Sequence, residues 1–199
     1  EIGSGLVGSE MCIRDRVIDD VAGVTLVSAS TAEKSFTEYG GNKEAAKEGG
    51  KAAVEAAKAA GWTDIKCIEI AGVQGDATNT ARMEGYREGV NEAGGEFLDA
   101  ETQYANATAD LAVTAMEGIM SKYPEGVAII CSNNDDMALA AARTAKDNPN
   151  YAKTIFLGFD GQKSAVEAVL NGELTMTAAQ NNFDIGYKAV ETIVKILNG

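Results

Sequence analysis

Residues 65–82 read IKCIEIAGVQGDATNTAR, an apolar β-rich run that breaks into compact polar side chains and then a helix-forming stretch. The unit recurs down the chain. VAIICS (127–132) runs into NNDDMALAAARTA, TIFLGF (154–159) into DGQKSAVEAVL, and TMTAA (175–179) into QNNFD. Short runs that are hydrophobic almost throughout are what strands buried on both faces of a parallel sheet look like. Their alternation with Ala/Glu/Lys-rich segments predicts an α/β fold with helices covering the sheet. Strands are expected at 24–29, 65–73, 96–103, 127–132, 154–159 and 175–179. Helices are expected at 42–60, 78–93, 110–122, 135–146, 163–170 and 184–197. Glycines in AGW (60–62) and EAGGE (92–96) fall where left-handed C-cap residues are wanted. In the last segment Ile185, Ala189, Ile193 and Ile196 or Leu197 share one face, with Lys188, Glu191 and Lys195 outside.

Composition narrows the function. The 199 residues carry 17 Lys+Arg against 30 Asp+Glu, a net charge of −13, which repels nucleic-acid phosphate and anionic lipid. No apolar run is long enough to span a bilayer. The chain has no histidine, which removes Ser–His and Cys–His nucleophile pairs, His metal ligands and the usual neutral-pH base. The strand–helix turn AGVQGDATNT (71–80) has neither GxGxxG nor GxxxxGK[ST], and no clustered Asp/Glu pattern like an EF-hand loop occurs, so neither a cofactor nor a metal is expected. Cys12, Cys67 and Cys131 show no CxxC or metal spacing. Cys67 and Cys131 lie in apolar runs and are expected to be buried, free thiols, held out of bonding range by their different positions along their strands. Residues 1–16, EIGSGLVGSEMCIRDR, show neither helical nor strand periodicity. GLVGSEMCIRDR resembles translated sequencing-adapter DNA, and this segment is set aside as non-native.

In an open parallel sheet ligands bind beyond the carboxyl ends of the strands, and there the polar residues collect. Arg82 lies early in a predicted helix, where the macrodipole disfavours a cation. It either pairs on the surface with Glu84 or Glu88, or reaches over the strand ends into an open, solvated crevice. Asn134 or Asp135 is a helix N-cap, Asn134 being otherwise a ligand residue, and Asp160 is either a turn residue before Gly161 or a ligand residue. Gln180 follows the last strand and either satisfies backbone or faces the crevice.

Three ordered blocks carry a resemblance: GVQGDATNTARMEGYREGV (72–90), SNNDDMALAAARTA (132–145) and LGFDGQKSAVEAVLNGELTMTAAQNNFDIGYKAVE (157–191). From about residue 24 onward the chain resembles the type 1 periplasmic sugar-binding proteins, the ribose- and galactose-binding group. The resemblance implies two Rossmann-like lobes that close over a sugar, the second nearly complete at 42–180. Residues 17–41 and 181–199 would then be a remnant of the first lobe and the hinge return with its helix. It implies that Arg82, Asn134, Asp160 and Gln180 contact a neutral pentose or hexose. It further implies a non-enzymatic, monomeric, extracytoplasmic receptor that delivers the sugar to an ABC permease, with no nucleic-acid partner. The effector-binding core of a LacI-type repressor shares the fold and is the alternative. Two departures stand out. Val27 and Ser28 occupy the place of an Asp-Arg pair seen in ribose binders, and Ala107 that of a stacking aromatic, with Tyr104 nearby.

Overall fold

The structure, a computed structural model, describes residues 14–19, 24–30 and 42–179, the first two segments as backbone. In chain order the elements are β1 (Arg14–Asp19), β2 (Val24–Ser30), α1 (Asn42–Ala59), β3 (Lys66–Ala71), α2 (Ala77–Glu92), β4 (Glu96–Phe97), β5 (Gln103–Tyr104), α3 (Ala109–Lys122), β6 (Ile129–Ser132), α4 (Asp135–Ala145), β7 (Ile155–Asp160), α5 (Lys163–Leu170) and β8 (Met176–Ala179). The expected helix at 184–197 and residue Gln180 lie outside the described residues.

The main sheet is parallel, ordered β4-β3-β6-β7-β8, with β5 also pairing with β3. Its sequence pattern explains its two covers. Along β3, Ile68 and Ile70 pack with Met116, Ile130, Met137 and Phe156 on the side of α3, α4 and α5. Cys67, with Cys131, Leu157 and Phe159, faces α1 and α2 on the other. The chain leaves β3 toward β4 and β5, then returns to build β6 on the opposite side. The order therefore reverses between β3 and β6, the place where doubly wound sheets open a crevice.

Two expectations need correction. The strand expected at 96–103 is split, because a 3-10 turn at Asp99–Glu101 interrupts it. Asp99 is drawn out to Arg87 and Glu101 to Lys122, leaving only short pieces paired with β3. The amino-terminal segment also differs. Residues 14–16, read as lacking periodicity, begin β1, and β2 pairs with β1 antiparallel in a separate two-stranded sheet. The short connection at 20–23 allows a hairpin, whereas a parallel crossover needs about a dozen residues or more.

The α1–α2 contact is made backbone to backbone. An added Cβ at Gly85 would lie 2.2 Å from the Lys43 carbonyl oxygen, and one at Gly89 only 1.9 Å from that of Lys47. Glycine four residues from glycine thus clears a strip on α2 into which α1 sinks. Lysines on α1 flank the strip and reach α2 carboxylates, with Lys43 to Glu88 at 2.7 Å and Lys51 to Glu92 at 3.2 Å. Such solvent-screened pairs add little, so the close approach itself carries the packing.

Cys67 and Cys131 are buried and free. Cys67 sits opposite Ile129, and Cys131 opposite Glu69. Their backbones are thus two positions out of step, as expected, but the side chains lean together and bring the sulfurs to 3.5 Å. The expected separation of the thiols therefore holds for the backbone only. A disulfide would need these offset backbones to approach. Titration of denatured, unreduced protein is expected to find both thiols, and loss of the pair would show that the strands yield.

Candidate functional site

Helix α2 organises the crevice. Asp76 caps it, its Oδ1 accepting from the Asn79 amide at 2.8 Å. Asn79, Arg82 and Tyr86 then follow at spacings that keep them on one face, and all three are buried. Each latches a strand end. Asn79 Oδ1 accepts from the Gly72 amide just beyond β3 at 2.6 Å. The Tyr86 hydroxyl lies 3.1 Å from the Ser132 carbonyl of β6 and 3.3 Å from the Gly158 carbonyl of β7, donating between them. Arg82 Nη1 donates to the Asn133 carbonyl after β6, and its Nη2 lies 2.9 Å from Asp160 Oδ1 at the end of β7. The guanidinium also sits over the Phe159 ring, 4.0 Å from its centroid.

Arg82 is thus neither a surface residue nor solvated. Its side chain is 7% exposed, while Glu84 and Glu88, its alternative partners from the sequence, pair with Lys43. The Asp160 carboxylate offsets the helix-dipole cost of a cation this early in α2. Asp160 stands at φ 115°, a conformation that L-residues hold only when their surroundings impose it.

Asn134 is the N-cap of α4. Its Oδ1 accepts from the Met137 amide at 2.9 Å, and its Nδ2 donates to the Ala107 carbonyl at 3.1 Å. Each side-chain atom keeps one further lone pair or N–H. The structure therefore joins Arg82 and Asp160 directly. Asn134 sits one residue beyond the carbonyl that Arg82 grips, and Gln180 follows Ala179, which pairs with Asp160.

Sequence reading missed the supports beneath this rim. Asn133 is buried, donating through Nδ2 to Glu69 Oε1 and to the Asn79 carbonyl, each at 3.2 Å. Asp135 is fully buried, its Oδ1 accepting from Thr177 Oγ1 at 2.6 Å and its Oδ2 from the Gln162 amide at 2.7 Å. Burial pushes Asp135 up to about 6, against the lowering effect of those two bonds. The paired Asn133 and Asn134 were the available signal. Only one of two adjacent side chains can turn toward the crevice while the other turns into the core.

Glu69, in the middle of β3, is also fully buried. Burial pushes it up to about 8, and its Oε2 has no hydrogen-bond partner among the described residues. It is therefore protonated at neutral pH. An acid raised in the fold but ordinary when unfolded stabilises the native state fully below about pH 4.5. That contribution is lost as pH rises toward about 8 and stays lost above it. Glu69→Gln copies the neutral acid, so its unfolding free energy is expected to fall less steeply than wild type between pH 5 and 8. The difference in slope is at most about 1.4 kcal/mol per pH unit. Denaturant melts across that range check it, and parallel slopes would show that Glu69 ionises freely.

Among the described residues there is no cluster of three or more potential metal ligands, and no helix is long and apolar enough to cross a membrane. The rim offers a guanidinium, a carboxylate and an amide, an alternation of donors and acceptors suited to a neutral hydroxylated molecule.

Comparison with known proteins agrees with the fold. Residues 19–199 match the periplasmic binding protein domain family. The ribose import binding protein of Salmonella typhimurium is 34% identical over 152 residues, covering 76% of this chain and 50% of that protein. The crystal structure of a periplasmic ribose ABC transporter protein from Conexibacter woesei superposes with a TM-score of 0.61 at 26% identity, covering 76% of this chain and 51% of the other. The chain spans about half the length of the curated ribose-binding relatives it matches. A shorter likeness, 39% over 89 residues and 45% of this chain, links it to the large ribosomal subunit protein uL18 of Clostridium botulinum, of which it covers 71%.

Proposed function

The chain belongs to the periplasmic binding protein domain family, and from that membership we propose that the crevice beyond β3, β6 and β7 receives a neutral monosaccharide, a pentose or hexose, for delivery to an ABC importer. The observation that carries the reading is the Arg82–Asp160 pair, 2.9 Å apart at the reversal side of the sheet. A guanidinium edge and a carboxylate held side by side present donors beside an acceptor, the pattern that adjacent sugar hydroxyls, each donor and acceptor, complement. Asn134 and Gln180 complete the ring of contacts.

In this reading residues 42–180 form the second lobe, and 17–41 and 181–199 belong with the first. Sugar binding draws two lobes together, and the closed form is the one that engages the permease. In this reading the protein is an extracytoplasmic, monomeric receptor and not an enzyme, in keeping with the import role that the ribose-binding relative carries in its name. The Salmonella typhimurium and Conexibacter woesei proteins favour this over a LacI-type repressor core, being by name a ribose import binding protein and a periplasmic ribose ABC transporter protein. The likeness to uL18 covers under half of the chain, and the net charge of −13 opposes RNA phosphate. Calorimetric titration with ribose, allose, arabinose, fucose and glucose tests the reading. Saturable 1:1 binding of at least one sugar is expected. Silence toward all five, with binding of a charged solute or of duplex DNA instead, would overturn it.

A further inference from the structure

Two successive amides beyond Asp160 are held by one buried carboxylate. The Gln162 N–H donates to Asp135 Oδ2 at 2.7 Å. The Gly161 N–H donates to Thr177 Oγ1 at 3.2 Å, and that hydroxyl donates onward to Asp135 Oδ1 at 2.6 Å. Both oxygens of Asp135 are therefore committed to the turn that follows β7, one directly and one through β8. The strand makes room for it. A Cβ at Gly158 would lie 2.3 Å from Asp135 Oδ1, so the carboxylate fills the space a side chain would need. Between Gly158 and Gly161 sits Asp160, at φ 115°, with its carboxylate turned to Arg82.

We infer that Asp135 is a positioning residue of the crevice: through Thr177 and the Gly161 and Gln162 amides it holds Asp160 in its strained backbone conformation and so aims it at Arg82. The sugar-binding consequence rests on the function proposed above, but the mechanical role does not. The groups that face Asp135 are Asp160 on β7, Asp136 on its own helix, and Tyr86 from α2, which burial pushes well above its usual value. The two carboxylates and burial oppose a negative charge on Asp135, while the Thr177 hydroxyl and the Gln162 amide favour it. The charge-assisted bond to Gln162 is the stronger form. Protonation weakens it, and with Asp135 raised to about 6 the grip on the turn loosens as pH falls below that value.

Amide hydrogen exchange of the unliganded chain, corrected for intrinsic exchange chemistry, tests this between pH 5 and 8. In wild type the protection of Gln162 is expected to fall about tenfold from pH 7.5 to pH 5, the effect of roughly 1.4 kcal/mol, with a midpoint near 6. In Asp135→Asn it is expected to be low and flat throughout. Thr177→Val is expected to expose the Gly161 amide and spare Gln162, whereas Thr177→Ser, which keeps the hydroxyl, is expected to keep both protected. Wild-type protection of both amides in Asp135→Asn would overturn the inference. If that variant does not fold, unchanged Gly161 protection in Thr177→Val would do the same. Titration of the same samples with the five sugars named above separates the two ideas. Absence of sugar binding in every variant, wild type included, counts against the function, while the exchange profile still decides the role of Asp135.

Discussion

Gly89→Ala is expected to destabilise the fold by roughly 2–3 kcal/mol, although alanine is the better helix former. In an open helix the exchange gains up to about 1 kcal/mol. Here the new Cβ falls 1.9 Å from the Lys47 carbonyl oxygen and 2.8 Å from its carbon. Both are backbone atoms, so no side-chain rotation relieves the clash. Helix α1 has to move off α2, and the cluster of Ala46, Ala53, Val54, Tyr86 and Val90 between helices and sheet loosens with it. Gly118 on α3 supplies the control. It has nothing within 4 Å of an added Cβ, so Gly118→Ala is expected to stabilise by about 0.5–1 kcal/mol. Denaturant unfolding of the two variants reads opposite signs from one substitution type. Equal effects would mean that α1 and α2 do not meet through their backbones.

Arg82→Ala is expected to cost both ligand affinity and stability. A charged hydrogen bond lost from a closed crevice costs roughly 1.5–3 kcal/mol, which is about one to two decades in affinity for the proposed sugar. An effect on the unliganded protein follows from the geometry. Removing the guanidinium strands the Asn133 carbonyl, uncovers Phe159 and leaves Asp160 without the ion pair at 2.9 Å. Breaking a fully buried pair costs about 3–5 kcal/mol. Because Asp160 keeps 22% exposure, roughly 2–3 kcal/mol is expected. Arg82→Lys is expected to fall between, since one ammonium cannot stack on Phe159 while reaching both oxygens. Asp160→Asn in the Arg82→Ala background is expected to recover part of the stability and none of the affinity. That combination separates the structural role of the pair from its proposed role in binding. An Arg82→Ala protein with wild-type melting and wild-type sugar affinity would refute both.

The sheet was legible because its strands announce themselves. CIEIA, IICS and IFLGF have no partner pattern other than burial on two faces, and the glycines and caps around them place most helix boundaries within a residue or two. The break at Asp99–Glu101 was not legible, because the partners that pull those carboxylates outward, Arg87 and Lys122, are distant in sequence. Gly85 and Gly89 were visible as letters, but their purpose depends on α1 lying against them. Arg82, Asn134 and Asp160 could be singled out because they follow strands, and the structure places all three at the strand ends. The layer below them, Asn79, Asn133, Asp135 and Thr177, looks in sequence like ordinary helix-start and strand polarity. Only three-dimensional neighbours show that these side chains hold the rim in place.

The interruption between β4 and β5 has a consequence for the behaviour of the chain in company. A sheet's outermost strand exposes unpaired amides and carbonyls that can template another molecule, and long smooth edges invite it. Here that border is cut into two-residue pieces by the Asp99–Glu101 turn. Glu96, Asp99 and Glu101 lie along it, the first two exposed. An incoming strand would find no register longer than a couple of residues and would meet charged side chains, Glu96 and the ion pairs of Asp99 with Arg87 and Glu101 with Lys122. The same kink that the sequence concealed leaves this side of the sheet a poor seed for aggregation.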